Sequence, residues 1–399
     1  MINNLCNEKG SEATMKHYRL DAGSLLHDTA RETGLERYLD EDLEARFHYL
    51  IGLFNEFGSI PEPAYPDAVN EVKRLVRIRL KLARDWEEHP EILEETIEQP
   101  FFVIGNARAG TTFAQSILTL DEGHRTPCYW DTRNPTPPPG LDPEADAAAH
   151  REAQQFIDFL LDKSPGLWPA HPYFDQGGYT EAEDEFLYSI DFNMAYPLHF
   201  LKVPTLPQAV PPPDPVQALQ FHKTMLKQLQ WQMPTRRWVG KGIIHQYLMP
   251  ALLDVYPDAV CFWMHRPPEE YIASLLELLE RQYKPFNGEL YRVDPQQLVE
   301  QLKAGMEHFM AQPTIDDPRV HHIRFRDFVA DPTAVLAPIY EKSGVTFTRE
   351  YERRIRERVN DPAWRADRHG KFEYSLDKFG LDRNRLRRQF ADYCERFEL

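Results

Sequence analysis

The apolar positions along this chain change their period near residue 100. From about residue 20 to residue 98 they recur at helical spacing. In Asp42–Phe57 the residues Leu43, Phe47, Leu50, Ile51 and Phe54 share one helical face. Val69–Trp86 repeats the signal through Val72, Leu75, Val76, Ile78, Leu80 and Leu82, more mixed in phase. Beyond Pro100, short apolar runs alternate with helical patterns. Phe101–Gly105 is the first such run, followed by a glycine-bearing turn and a helical pattern from Thr112 to about Leu120. Arg237–Lys241, Ala259–Met264 and His321–Phe325 fit further buried strands, and Val216–Trp231, Gln246–Val255 and Glu269–Glu280 fit helices. Strands alternating with helices predict an α/β fold with a parallel sheet flanked by helices. The expected division is a helical N-terminal region, 1–99, forming a cap or an oligomer arm, and an α/β domain, 100–399. Two proline-rich stretches, Pro135–Pro143 and Pro204–Pro215, read as ordered connectors or lid edges.

Composition narrows the class. With 42% apolar and 27% charged residues the chain is globular, and 399 residues suffice for a sizeable core. No stretch approaches the roughly 20 apolar residues that span a bilayer, so no transmembrane segment is expected. Met1–Gly10 lacks the apolar core of a secretory signal. The cysteines Cys6, Cys128, Cys261 and Cys394 lie far apart, with neither metal nor redox spacing, which points to a reducing, cytoplasmic compartment. The formal charge of −17 argues against nucleic acid or an anionic membrane as partner. An anionic ligand would need a local basic site inside an acidic protein.

The segment Phe101-Phe-Val-Ile-Gly-Asn-Ala-Arg-Ala-Gly-Thr-Thr112 supplies one. Two glycines five apart stand between a strand and a helix, where the backbone can turn tightly and approach a phosphate. Amides at the start of the helix then point at the anion. Arg108 adds a permanent charge, and Thr111 and Thr112 add hydroxyls. The loop nearly matches a Walker A loop, but Thr111 stands where the lysine should follow the second glycine. It better suits a donor used without a metal. A second signal is Arg266 followed eight residues later by Ser274, with Pro267 and Pro268 suited to a helix start between them. Arg and Ser converging at a strand end can hold a phosphate by charge-assisted hydrogen bonds. Lys241, at the end of a predicted strand, would point into the usual α/β ligand crevice.

The glycine loop resembles the 5′-phosphosulfate loop of the sulfotransferase superfamily, written PRSGTT or PKSGTT, in a bacterial branch with an N-terminal helical region. The resemblance implies a P-loop-like fold and transfer of a sulfuryl group from 3′-phosphoadenosine 5′-phosphosulfate to a hydroxyl or amine, without metal. It places Asn106, Ala107, Arg108, Ala109, Gly110, Thr111 and Thr112 on the 5′-phosphosulfate, and Arg266 and Ser274 on the 3′-phosphate. Arg368 and Lys371, in a basic C-terminal segment, would cover that phosphate. Trp238-Val-Gly-Lys241-Gly-Ile-Ile-His245 resembles the branch's W-V-L-K-S-P-x-H segment, with glycines at 240 and 242 where the branch has Leu and Ser. That gives Lys241 and His245 catalytic roles beside Arg108. Tyr129-Trp130-Asp131 resembles a Trp-Glu dipeptide, which makes Asp131 the expected base, with His245, His171 and His124 as alternatives.

Leu167–Phe200 combines many aromatics with His171 and the acidic cluster Glu181, Glu183, Asp184 and Glu185. Aromatic walls with a few polar groups suit a small, partly apolar acceptor. The N-terminal helices are the candidate surface for a homo-oligomer. A nucleotide or small-molecule kinase with a degenerate Walker loop, or a non-catalytic donor-binding relative, are the alternatives. A kinase would need magnesium ligands, and the strand Ala259–Met264 ends in His265–Arg266 instead of an acidic residue.

Overall fold

The structure is a computed structural model that describes residues 17–56, 60–194, 211–288 and 293–399. A two-residue strand, β1 (His17–Tyr18), pairs antiparallel with β2 (Ile60–Pro61). Between and after them run the helices Ala22–Thr33, Glu41–Glu56 and Tyr65–Glu88. The apolar faces expected in this region are buried: Leu43, Phe47, Leu50, Ile51 and Phe54 in one helix, Val72, Leu75, Val76, Ile78, Leu80 and Leu82 in the other.

The main sheet has five strands: β3 (Phe101–Gly105), β4 (His124–Arg125), β5 (Arg237–Lys241), β6 (Val260–His265) and β7 (Val320–Arg324). Their order is β4-β5-β3-β6-β7, and every neighbouring pair is parallel. The first crossover leaves β3 on one side, and the chain later returns past it to β6 on the other. β3 is therefore central and buried on both faces, as a parallel strand between two helical layers must be. Alternation sorts its side chains. Phe102 and Ile104 join one core with the N-terminal helices, while Phe101 and Val103 join another with Ile117, Leu118 and Tyr340.

The expected strands recur within one residue of their predicted limits, and β4, too short to show a pattern, is added at one edge. The expected helix Gln246–Val255 is divided into a 3₁₀ turn, Ile244–Tyr247, and a helix, Met249–Val255. Pro250 lacks the N–H that would have carried one helix through. The stretch Pro135–Pro143 leads into the helix Pro143–Lys163, where the Asp142 carboxylate caps the amides of Glu144 and Ala145. Most of Pro204–Pro215 lies outside the described residues, as do Cys6, Phe57, Tyr196 and Phe200. Among the described residues no helix is long and apolar enough to cross a membrane.

Candidate active site

Three adjacent strands bring the predicted basic residues to one edge of the sheet. β5, β3 and β6 end at Lys241, Gly105 and His265, and Arg266 follows at once. Parallel neighbours lie about 4.8 Å apart, so these three ends open onto one crevice. After Gly105 the loop turns through Asn106–Gly110 into the helix Thr111–Leu118. Gly110 has φ +95° and lies against the Phe325 ring, where a Cβ would come within 2.3 Å of Cδ2. Arg108 takes φ +70°, a left-handed conformation that costs a non-glycine residue about 1–2 kcal/mol. The first helical bond runs from the Ala114 amide to the Gly110 carbonyl. The amides of Thr111 to Phe113 therefore lie ahead of it at the helix mouth.

Arg108 is the centre of the cluster. Its Nε donates to Ser274 Oγ at 3.0 Å and its Nη1 to the Ala170 carbonyl at 2.9 Å, and its guanidinium lies over the Phe372 ring at 5.1 Å. Arg266 Nη1 donates to the Arg108 carbonyl at 3.1 Å. Ser274, on the helix Pro268–Asn287, is buried. Arg108, Arg266 and Ser274 thus meet, as their spacing predicts. Burial, and then the charge of Arg266, push Arg108 down to about 10, so it stays cationic at neutral pH. Among the described residues its hydrogen-bond acceptors are neutral oxygens, not carboxylates. A half-buried cation without a carboxylate, beside a second arginine in an acidic protein, has charge available for an anion.

Lys241 lies on the other side of the loop. It is 2% exposed; its Nζ reaches Glu183 Oε1 at 2.9 Å and donates to Thr112 Oγ1 at 3.2 Å. Glu183 belongs to the connection that leads from Thr180 into the helix Glu185–Ile190 and is tied on both sides. The Tyr129 amide bonds the Thr180 carbonyl, the Ala182 amide bonds the Pro127 carbonyl, and the Asp184 amide bonds the Lys241 carbonyl. Burial, followed by the charge of Lys241, holds His171 down at about 3, so that ring is neutral. Its Nδ1 is buried without a hydrogen-bond partner among the described residues. Burial pushes Glu181 up to about 6, although Thr119 Oγ1 donates to it at 2.6 Å.

Other predicted site residues sit elsewhere. Asp131 is 1% exposed, with Oδ1 on Arg125 Nη2 at 2.6 Å and Oδ2 on the Cys128 amide at 2.9 Å. It caps the short helix Tyr129–Arg133, and both its oxygens are held by structural donors. His245 is fully buried behind β5 with Nε2 on Asp184. His124 Nδ1 bonds the Leu118 carbonyl. The Asn106 amide nitrogen donates to Tyr271 Oη and its oxygen accepts from Gln246, which anchors the loop from below. Arg368 is spent on Asp175 (2.6 Å) and the Pro172 carbonyl, and Lys371 is 81% exposed near Glu373. From the same C-terminal segment, Tyr374 accepts a bond from Arg266 at 3.4 Å, and Phe372 covers Arg108. Glu183 was visible in the sequence only as one acid of a cluster. No local period singled it out, because Glu185 opens the helix Glu185–Ile190 and the acids at 181, 183 and 185 do not lie on one extended segment.

Residues 100–349 match the model described as the sulfotransferase family. The omega-hydroxy-beta-dihydromenaquinone-9 sulfotransferase Stf3 of Mycobacterium bovis is 23% identical over 290 residues, which cover 67% of this chain and 68% of that protein. The crystal structure of sulfotransferase STF9 from Mycobacterium avium superposes with a TM-score of 0.75 at 26% identity, covering 98% of this chain and 99% of the other. Sulfotransferase STF1 from Mycobacterium tuberculosis gives 0.72 at 20% identity, over 94% of this chain and 99% of that one, and so shares the fold. With the family model covering more than half of the sequence, this chain belongs to the sulfotransferase family.

Proposed function

We propose that this sulfotransferase uses 3′-phosphoadenosine 5′-phosphosulfate and transfers its sulfuryl group to a hydroxyl or amine of a small, partly apolar acceptor. One observation carries the reading: Arg108, Ser274, Arg266, Lys241 and the Thr111–Phe113 amides converge on one crevice of an otherwise acidic protein. The donor contributes a sulfur held through an anhydride to a good phosphate leaving group. The protein has to grip the two phosphate ends and meet the charge that grows on the leaving oxygen. It also has to receive a proton from the acceptor. Arg266 and Ser274 suit the 3′-phosphate, and Arg108 and the helix amides suit the 5′-phosphosulfate. Lys241, within reach of Thr112, suits the bridging oxygen.

Glu183 is the better candidate for the base than Asp131. It stands against Lys241, whereas both Asp131 oxygens are held by Arg125 and a backbone amide. Neutral His171 lies in the field of Lys241, Glu183 and Arg108 and is placed to orient the acceptor. Trp168 and Tyr173 are half-buried near it, while Phe186 and Tyr188 belong to the cores. The relative Stf3 is named for an omega-hydroxy dihydromenaquinone, a hydroxyl on an apolar body, and an acceptor of that kind suits this site. The described cysteines Cys128, Cys261 and Cys394 are free, in keeping with a reducing cytoplasm.

Titration calorimetry with 3′-phosphoadenosine 5′-phosphate and with ATP, each with and without magnesium, tests the donor. Tight magnesium-independent binding of the first and none of the second is expected; preference for magnesium-ATP would restore a kinase. A mass-shift screen over phenols, sterols, lipids and sugars tests transfer. Donor binding with no product across the panel would favour a non-catalytic relative.

A further inference from the structure

Behind the crevice lies a second polar cluster that binds no part of the proposed donor. Asp184, His222 and His245 are each fully buried. His245 Nε2 is 2.8 Å from Asp184 Oδ2, and His222 Nε2 is 3.4 Å from the same oxygen. His222 Nδ1 lies 2.8 Å from Tyr256 Oη, which can donate to it and leave Nε2–H facing the carboxylate. The rings of Tyr188 and Phe102 pack against the imidazoles. Burial pushes the Asp184 carboxyl up, and the two imidazoles outweigh it, so it stays well below its ordinary range.

Two glycines make the cluster fit. A Cβ at Gly240 would stand 2.3 Å from Asp184 Oδ2 and 2.9 Å from Phe102 Cδ1. A Cβ at Gly242 would stand 2.7 Å from His245 Cδ2 and 2.9 Å from Glu185 Oε2. The residues on either side of Lys241 are therefore as small as they can be on the face that receives the cluster. Stability alone gives no reason to keep it, because well-packed apolar residues are commonly as stabilising as a buried charged set. Its value lies in what it holds.

Gly240 and Lys241 are consecutive in β5, so they point to opposite faces of the sheet. Glu183 and Asp184 lie at the turn into the helix Glu185–Ile190, where Asp184 takes φ −64° and ψ −18°, and each reaches one of those faces. On one side Asp184 occupies the space above Gly240. On the other, Glu183 meets Lys241 at 2.9 Å. The two segments are joined in the middle by the bond from the Asp184 amide to the Lys241 carbonyl, 2.8 Å. The Ile244 amide, one residue before His245, donates to Glu185 Oε1 at 2.9 Å and adds another tie. We propose that His222, Asp184 and His245 are positioning residues: they lock the acidic segment to the end of β5 and so hold the Lys241–Glu183 pair at the transfer centre. His222 is brought in from the helix Pro215–Gln230, which otherwise has no part in the site.

The assignment rests on the reading of Lys241 and Glu183 given above, and the experiment separates the two. His245→Gln keeps an N–H donor near the position of Nε2, whereas His245→Leu keeps the bulk and removes the donor. Crystal structures of both variants bound to 3′-phosphoadenosine 5′-phosphate report the Lys241–Glu183 distance, and calorimetry reports affinity for the same ligand. The expected result is a pair intact in His245→Gln and opened beyond 4 Å in His245→Leu, with affinity changed less than about threefold in either. An intact pair in His245→Leu, or equal disruption in both variants, overturns the proposal. Should the leucine variant fail to fold, Asp184→Ala gives the same readout, since it removes the one oxygen that both imidazoles face. Lys241→Ala in parallel probes the underlying reading. If it leaves affinity for 3′-phosphoadenosine 5′-phosphate unchanged, the site assignment fails, whatever the His245 variants show.

Discussion

The glycine loop and the acidic segment face each other across Lys241, yet they are built on opposite plans. The loop is one continuous run, Gly105–Thr112, whose chemistry comes from backbone amides, two glycines and an arginine. Its one cation, Arg108, is held by neutral oxygens and a ring, so charge is left over for a ligand. The acidic segment is assembled from four stretches, at 181–185, 222, 240–245 and 256. Its Lys241 is matched by Glu183 and its Asp184 by two imidazoles, while the buried carboxyls of Glu181 and Glu185 are pushed up toward the protonated form. A loop arginine left without a carboxylate suits binding, and buried groups closed on one another suit holding a shape.

The largest test of that contrast is Arg108→Ala. Removing a charged hydrogen-bond donor from a phosphate site costs about 3 kcal/mol, so affinity for 3′-phosphoadenosine 5′-phosphate should fall by about 100-fold in calorimetry. Unchanged affinity would place the donor elsewhere. Next is Glu183→Gln, which keeps the shape and removes the proposed base. Transfer to any acceptor from the screen should slow by about 100-fold while donor affinity holds. Asp131→Asn sets the control: turnover per folded molecule should stay within about threefold, with a small loss of stability from the weakened cap. A reversed ranking of the two carboxyls would return the role of base to Asp131.

Gly240→Ala probes the shape-holding side. A Cβ 2.3 Å from a carboxylate oxygen overpacks the site, and a loss of about 2 kcal/mol in chemical denaturation is expected. The smallest effect concerns Glu185, whose buried carboxyl is pushed up to about 8 by burial and the charge of Glu183. Its ordinary value is about 4.3, so between those values the folded chain binds the extra proton. The stability it contributes is complete below the lower value and is lost as pH rises through about 8. Glu185→Gln should therefore raise the melting temperature at pH 8.5 and leave it nearly unchanged at pH 5. An equal shift at both would show that Glu185 is ionised throughout.

Much of the fold was legible because its signals are local. A buried parallel strand reads as an apolar run, and Phe101–Gly105 and Arg237–Lys241 were recognisable to the residue. The pair Arg266 and Ser274 was legible because the strand end and the helix after it are contiguous in sequence. Asp131 shows the limit. It carries a plausible dipeptide context, but its neighbours Arg125 and Cys128 close around it as a helix cap, and a cap and a base look alike in a string of letters. Arg368 and Lys371 show it again: their charges were visible, and Asp175 and open solvent were not.

The order of residues by itself determined the loop that can grip a phosphate, because glycine freedom, helix-end amides and a charged side chain act within a dozen consecutive positions. Only the folded arrangement decided which carboxylate stands at the lysine. That choice depends on how β5 and the turn into the helix Glu185–Ile190 face each other and on a histidine from a distant helix. A Cβ-sized gap at Gly240 lets them close together, and none of these is a property of any one stretch of chain.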